Sequence, residues 1–211
     1  MSGAAPVPPS ALKPVQLPCS ERVLLLVDFI NPMDFPGGEH LAGPAVEAAQ
    51  ATAALKQRLA NDGVTTIYAN DNYGVWQSDF HTMVATCIGM EGPAGEIARA
   101  LYPQAGDLTI LKPRHSAFYA SPLDLLLKEM HTRALVICGL ATDICVQFTA
   151  MDAFLREYRI WVPSDCTAAQ SDAVKAGSLA YMATVLKCDT TLSKGNDAAR
   201  PATPRRRART A

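Results

Sequence analysis

Five stretches of the chain are apolar almost without interruption: Arg22–Val27, Val64–Ala69, Leu108–Leu111, Ala134–Cys138 and Arg159–Val162. Short runs with no alternation read as strands buried on both faces, the habit of a central parallel strand. A shorter sixth strand is expected at Thr184–Lys187. Between these runs lie helical patterns. Pro44–Ala60 places Val46, Ala49, Ala53 and Leu59 near helical spacing, after a first-turn proline and before an Asn61-Asp62-Gly63 stop. Ser121–Met130 begins with an N-cap serine and an N1 proline and carries Leu123, Leu126, Leu127 and Met130 down one side. Asp143–Glu157 and Ala169–Ala183 are the remaining long helices. Strand and helix alternate, which predicts an α/β fold in three layers, a parallel sheet covered by helices on both faces through right-handed crossovers.

Residues 70–107 break that rhythm with Asn70-Asp71-Asn72-Tyr73-Gly74, Trp76 and Glu91-Gly92-Pro93, and one helix is expected there, at Ala94–Leu101. An irregular excursion of this length is usually functional, and this one is expected to cover one end of the sheet.

Composition narrows the class. The 211 residues are 49% hydrophobic and 18% charged with a formal net charge of -1, the profile of one globular domain, and no apolar run approaches the ~20 residues of a membrane span. The near-neutrality hides an asymmetry. From Ser193 onward six basic residues face one acid, a net of +5 that leaves -6 on the rest. A short basic tail on an acidic body is not the basic face of a nucleic-acid-binding domain, so neither nucleic acid nor a membrane is an expected partner. The expected organisation is a flexible Pro-rich leader at 1–21, a domain at 22–187, and a basic tail at 188–211, disordered from about 193. The leader lacks the basic-then-apolar start of a signal peptide, and six cysteines occur without C-x-x-C spacing. Reduced thiols in a cytoplasmic protein are the expectation.

In an open α/β sheet, ligands bind beyond the carboxyl ends of the strands. The first strand ends at Asp28, the third runs into Lys112, and the fourth leads through Gly139-Leu140-Ala141-Thr142-Asp143 into a helix whose first turn holds Cys145. An acid, an amine and a thiol thus meet at one edge. A helix N-terminus and a nearby ammonium both favour thiolate, so a lowered Cys145 pKa is expected. Asp28 is the candidate base, Lys112 the electrostatic partner, and the backbone N–H groups of the 141–145 turn a candidate oxyanion hole.

Val27-Asp28-Phe29-Ile30-Asn31, Leu111-Lys112 with Ser116-Ala117-Phe118, and Gly139-Leu140-Ala141-Thr142-Asp143-Ile144-Cys145-Val146 resemble, in order and spacing, the three signature blocks of the isochorismatase-like cysteine hydrolases. The resemblance implies a Rossmann-like six-stranded parallel sheet of order 3-2-1-4-5-6. It implies Asp28, Lys112 and Cys145 as the catalytic triad, and a cis Leu140–Ala141 peptide that turns the Ala141 N–H into the oxyanion hole beside that of Cys145. It further implies a small carboxamide or ureido substrate and a homodimer or homotetramer. Nicotinamidases of this group carry an Asp-x-His pair that serves a metal. Here the stretch reads Asp71-Asn72-Tyr73, so no metal and no cofactor are expected, a chelate from Asp71, Asp79 and His81 being the remaining option.

Phe29, Asn72, Trp76 and Phe118, with Tyr119, are candidate pocket walls. His115 is a candidate thiol partner or a loop-bonding residue, and Cys138 and Cys166 are expected to pack. Two other functional classes stay open, a thiol sensor built on a low-pKa cysteine and a catalytically silent binding member of the fold.

Overall fold

The first strand, β1 (Arg22–Val27), explains the layers. Its alternate side chains serve two cores, because successive Cβ atoms of a strand point to opposite faces. In the computed structural model, which describes residues 16–74, 76 and 79–194, Leu24 and Leu26 pack with Leu41, Ala45 and Leu55 of α1 (Gly38–Asn61) and with Phe80 and Ile97. Val23, Leu25 and Val27 pack with Leu123, Leu127, Ala150 and Met182 on the opposite side. The two faces are covered by α1, α2 (Phe80–Ile88) and α3 (Pro93–Ala100) on one side, and by α4 (Leu123–Glu129), α5 (Gln147–Leu155) and α6 (Asp172–Thr184) on the other.

The sheet is parallel and six-stranded. β2 (Thr65–Asp71) pairs with β1 from Val23↔Thr65 to Val27↔Ala69, and β3 (Leu108–Lys112) extends the same edge, with Asp71↔Lys112 in register. On the other side of β1 lie β4 (Ala134–Leu140) and β5 (Arg159–Trp161), giving the order β3-β2-β1-β4-β5. The sixth strand is β6 (Thr167–Ala168), which pairs with β4 at Gly139 and Leu140. Thr184–Lys187, expected as a strand, instead holds the last residue of α6 and the turn after it. The chain then makes a single parallel bridge to β5 at Asp189↔Trp161.

Two helices depart from the sequence pattern. α1 begins at Gly38, so Pro44 sits inside it rather than at its first turn. The excursion at 70–107 holds α2 as well as α3; Asp79 caps α2, its carboxylate accepting from the Thr82 N–H at 2.9 Å.

Folded contacts also reach beyond 22–187. Leu17 packs on the second core, Ser20 is buried with its N–H donating to the Met130 carbonyl at 2.9 Å, and the Ser193 N–H and hydroxyl both donate to Asp165 at 2.7 Å. The leader expected to be flexible is therefore packed from Leu17. The earlier leader and the tail expected to be disordered lie outside the described residues from 1 to 15 and from 195. Among the described residues no helix is long and apolar enough to cross a membrane.

Candidate active site

Three strand ends converge. Asp28 directly follows β1 and adopts a left-handed backbone, φ 53°. That region costs a non-glycine residue about 1–2 kcal/mol, and aspartate is among the few that enter it routinely. The turn lets Asp28 Oδ1 accept the Asp71 N–H at 2.7 Å while Oδ2 meets Lys112 Nζ at 2.8 Å. Lys112, the last residue of β3, is fully buried; its ammonium also donates to the Arg114 carbonyl at 3.1 Å and to Cys145 Sγ at 3.6 Å, and lies 3.6 Å from Asp71 Oδ2.

Cys145 arrives from β4 through a sharp turn. Gly139, with φ 148°, is obligatory here, since a Cβ would stand 2.1 Å from the Val27 carbonyl oxygen. The close approach brings the end of β4 against the end of β1, so that Cys145 and Asp28 share one space. The Leu140–Ala141 peptide is cis, and Thr142–Val146 forms a π-helical turn leading into α5. Such turns within helices are frequent at functional sites. β6 and α6 brace this turn from the side: the Thr167 hydroxyl of β6 donates to the Gly139 carbonyl at 2.8 Å and lies 2.9 Å from the Thr142 hydroxyl, while Ser178 Oγ of α6 donates to the Thr142 carbonyl at 3.1 Å.

The electrostatics differ from the sequence expectation. Burial pushes the Cys145 thiol well above its ordinary pKa, and the Asp28 carboxylate, to which the thiol donates, adds to the rise; the Lys112 ammonium opposes both and loses. Burial and Asp28 thus favour the thiol over the thiolate at Cys145, opposite to the expected direction. The helix-terminus argument fails because the sulfur lies in a desolvated turn beside a carboxylate. Burial likewise raises Asp28, against the pull of Lys112 and of the hydrogen bonds that it accepts. Burial alone would lower Lys112, but Asp28, Cys145 and Asp71 outweigh it and hold its pKa above the ordinary value. The knot thus holds an ammonium and a carboxylate that has an enhanced appetite for a proton, with a thiol proton within reach.

This arrangement makes a prediction about reactivity. Alkylation of the ligand-free protein by iodoacetamide near neutral pH is expected to label the exposed Cys19 ahead of Cys145. Timed peptide mapping checks it, and faster labelling of Cys145 would contradict the neutral-thiol assignment.

Beside Asp28, Lys112 and Cys145 lies an open cleft of about 390 Å³ lined by Asp71, Asn72, Gly74, Trp76, Pro113, Arg114 and His115. His115 Nδ1 is 3.7 Å from Cys145 Sγ, so the cleft adjoins the thiol. The His115 ring also packs near Phe148, with centroids 5.6 Å apart. The loop that carries it is pinned to α5 by Ser116 Oγ donating to Asp152 at 2.5 Å and by the Ala117 N–H donating to Thr149 at 3.0 Å.

The candidate walls separate into two groups. Asn72 and Trp76 line the cleft, whereas Phe29 and Phe118 are 1% and 4% exposed and belong to the two cores rather than to the pocket. Both follow a buried strand or a tight loop where an aromatic ring fills the core, and single-residue reading does not separate that from a pocket wall. Cys138 and Cys166 are core residues, and Tyr119 is exposed. Asp79 is occupied with capping α2, and no group of three His, Cys, Asp or Glu side chains is placed to share a metal among the described residues. Two contributors were not legible as such. Asp71 holds Asp28 through its N–H and faces Lys112 through its carboxylate, and Thr167 braces the turn that carries Cys145.

Comparison with known proteins adds a family. The isochorismatase domain model matches residues 22–192. The chain is similar to the uncharacterized isochorismatase family protein YaaI of Bacillus subtilis (strain 168), with 37% identity over 172 residues covering 82% of this chain and 94% of that protein. It is similar to the ureidoacrylate amidohydrolase RutB of Azorhizobium caulinodans, with 29% identity over 175 residues covering 71% and 77%. Among solved structures, N-carbamoylsarcosine amidase from Thermoplasma acidophilum matches with a TM-score of 0.61 and 26% identity over 82% of this chain and 97% of that chain.

Proposed function

We propose that this chain, which belongs to the isochorismatase family, is a cysteine hydrolase that cleaves a C–N bond of a small carboxamide or ureido compound through a covalent acyl-enzyme. The observation that carries the reading is the single buried knot in which Lys112 Nζ lies 2.8 Å from Asp28 and 3.6 Å from Cys145 Sγ, beside an open cleft. Relatives named for amide and ureido hydrolysis support the bond type.

In this reading Asp28 takes the thiol proton as Cys145 Sγ attacks the carbonyl carbon. The carbonyl electron pair moves onto oxygen, and the Ala141 and Cys145 N–H groups are the donors for that oxyanion. Collapse breaks the C–N bond as Asp28 returns its proton to the departing nitrogen, leaving a thioester. Water then adds to the thioester with Asp28 again as the base, and the acid and the free thiol are regenerated. Lys112 keeps the site's charge balanced while the proton moves between sulfur and carboxylate.

A neutral resting thiol suits this cycle, since the base and the substrate act on the sulfur together. It suits a thiol sensor poorly, because oxidant reactivity follows thiolate character.

The test is ammonia release across small carboxamides, ureido acids and nicotinamide. Turnover of at least one is expected, and none with folded protein would overturn the reading. The pH profile adds a second prediction. Asp28 must be ionised to accept the thiol proton, and burial has raised its pKa, so the acid limb of kcat/KM is expected above the ordinary aspartate value of 3.8. A profile that stays flat down to pH 4 would remove Asp28 as the base.

A further inference from the structure

We propose that Cys138 and Cys166 are an oxidative modification site, a thiol pair that a peroxide converts into an intrachain disulfide when the segment that covers Cys166, residues 189–193, opens. Neither thiol takes part in the proposed hydrolysis, so the site stands independently of it.

Register brings the two together. β6 pairs with β4 in parallel at Gly139↔Thr167, so the residues one step earlier are neighbours across the ladder: Cys138 of β4 and Cys166, the last residue of the Ser164–Cys166 turn. Parallel neighbours lie roughly 4.8 Å apart, within the Cα separation that a disulfide spans. Both side chains are fully buried in the core on the α1 side of the sheet, and the Cys138 thiol donates a hydrogen bond to Cys166 Sγ.

The polar surroundings of Cys166 are unlike those of a packing cysteine. Its thiol donates to Asp165 Oδ1 at 3.8 Å, and the hydroxyls of Thr52 from α1 and of Ser193 also reach the sulfur. The hydrogen bond from Cys138 pulls the Cys166 pKa below the ordinary thiol value, helped by Thr52 and Ser193 and opposed by burial and the Asp165 charge, whereas burial pushes Cys138 up. The pair is unsymmetrical: Cys166 has the thiolate character and reacts first, and Cys138 resolves.

The cover over Cys166 can open without the core. Past the single bridge at Asp189, Trp161 Nε1 donates to the Thr191 carbonyl at 3.0 Å, Arg58 donates to the Ser193 carbonyl at 2.6 Å, and Ser193 donates to Asp165. A segment tied down by side chains opens locally at less cost than the strands beneath it. In the open state Asp165 takes the Cys166 proton as the sulfur attacks one oxygen of hydrogen peroxide. The O–O bond breaks, and the departing oxygen takes that proton and leaves as water. The Cys138 sulfur then displaces the oxygen of the sulfenic acid, which leaves with the Cys138 proton as a second water. The two thiols have lost two electrons, and the peroxide has gained them.

The experiment exposes reduced full-length protein to hydrogen peroxide, quenches it with N-ethylmaleimide in denaturant and maps tryptic peptides without reductant. The main disulfide expected joins the Cys138 and Cys166 peptides, lacks two hydrogens relative to their sum and is split by dithiothreitol. Cys138 and Cys145 share the tryptic peptide that runs from Ala134 to Arg156, so the same map in Cys145→Ala protein assigns the link. Arg58→Gln, which frees Ser193 without touching either sulfur, should speed the link by about threefold or more, the worth of one lost hydrogen bond. Unfolding in urea before the peroxide should abolish the preference for this pairing. Both thiols still open to the maleimide once the exposed Cys19 is fully oxidised would overturn the proposal. So would a sulfinic acid on Cys166 without the link, a link from Cys166 to Cys145 instead, or an Arg58→Gln rate equal to that of the wild type.

Discussion

Cys145→Ala protein is expected to hydrolyse any responsive substrate at least about 10⁴-fold more slowly than the wild type, because in the proposed covalent mechanism it removes the nucleophile and leaves only binding and the oxyanion donors. The loss should come without collapse of the fold. Burial and Asp28 both raise the Cys145 pKa and so favour its uncharged form, and the alanine leaves the Asp28–Lys112 pair its own counter-charge. The Asp28–Lys112 pair at 2.8 Å stays satisfied, and the π-helical turn keeps its bonds to Thr167 and Ser178. Cys145→Ser tests the same point more sharply, because a hydroxyl holds its proton far more tightly than a thiol and asks more of the Asp28 base; a loss of at least about 10³-fold is expected. Ammonia release measures both variants. Intact mass after brief exposure of the wild type to substrate should show an acyl adduct on the Cys145 peptide, absent from the alanine variant. Residual activity within tenfold of wild type in Cys145→Ala would move the chemistry to another group.

What the sequence exposed and what it concealed follow from the same physics. β1, β2 and β4 are legible because strands buried on both faces must be apolar almost throughout, and Val23 to Val27 is fully buried. The meeting of Asp28, Lys112 and Cys145 is legible because strand ends in a parallel sheet share one edge. β6 was not, since a two-residue Thr167–Ala168 strand carries no run at all, and its role rests on a hydroxyl that braces Gly139. α2 left a readable trace in Phe80, Val84 and Cys87, its buried residues at helical spacing, which the polar loop before it obscured. Residue types near a helix start do not reveal desolvation, the largest influence on the Cys145 thiol, so the sequence points its pKa down where burial raises it.

Lys112→Met should behave in the opposite way to Cys145→Ala, losing stability together with activity. Lys112 is fully buried between Asp28 and Asp71, whose side chains are 11% and 31% exposed, so its removal leaves carboxylates without a counter-charge. Breaking one side of a buried pair costs about 3–5 kcal/mol, which for a domain of this size lowers Tm by roughly 6–20 °C. The sign of the pH dependence is fixed. The Lys112 pKa is raised in the fold, so its contribution is fully present below the unfolded value of 10.5 and lost as pH climbs through the folded value; at pH 7.5 the wild type has all of it. Asp28 is also raised, so the folded state binds its proton more tightly than the unfolded chain, and stability falls as pH rises through its folded pKa. Removing the ammonium that restrains Asp28 raises its pKa further. The deficit of Lys112→Met should therefore be largest at pH 7.5 and narrow toward pH 5, where protonation neutralises the stranded carboxylate. Asp28→Asn combined with Lys112→Met should regain part of the lost Tm at pH 7.5 while remaining inactive, since the buried charge has gone but the base has gone with it. Thermal melts of the three proteins at both pH values decide the matter. A Lys112→Met Tm within about 2 °C of wild type at pH 7.5, with no pH dependence in the difference, would mean that this lysine does not hold the site's charge together.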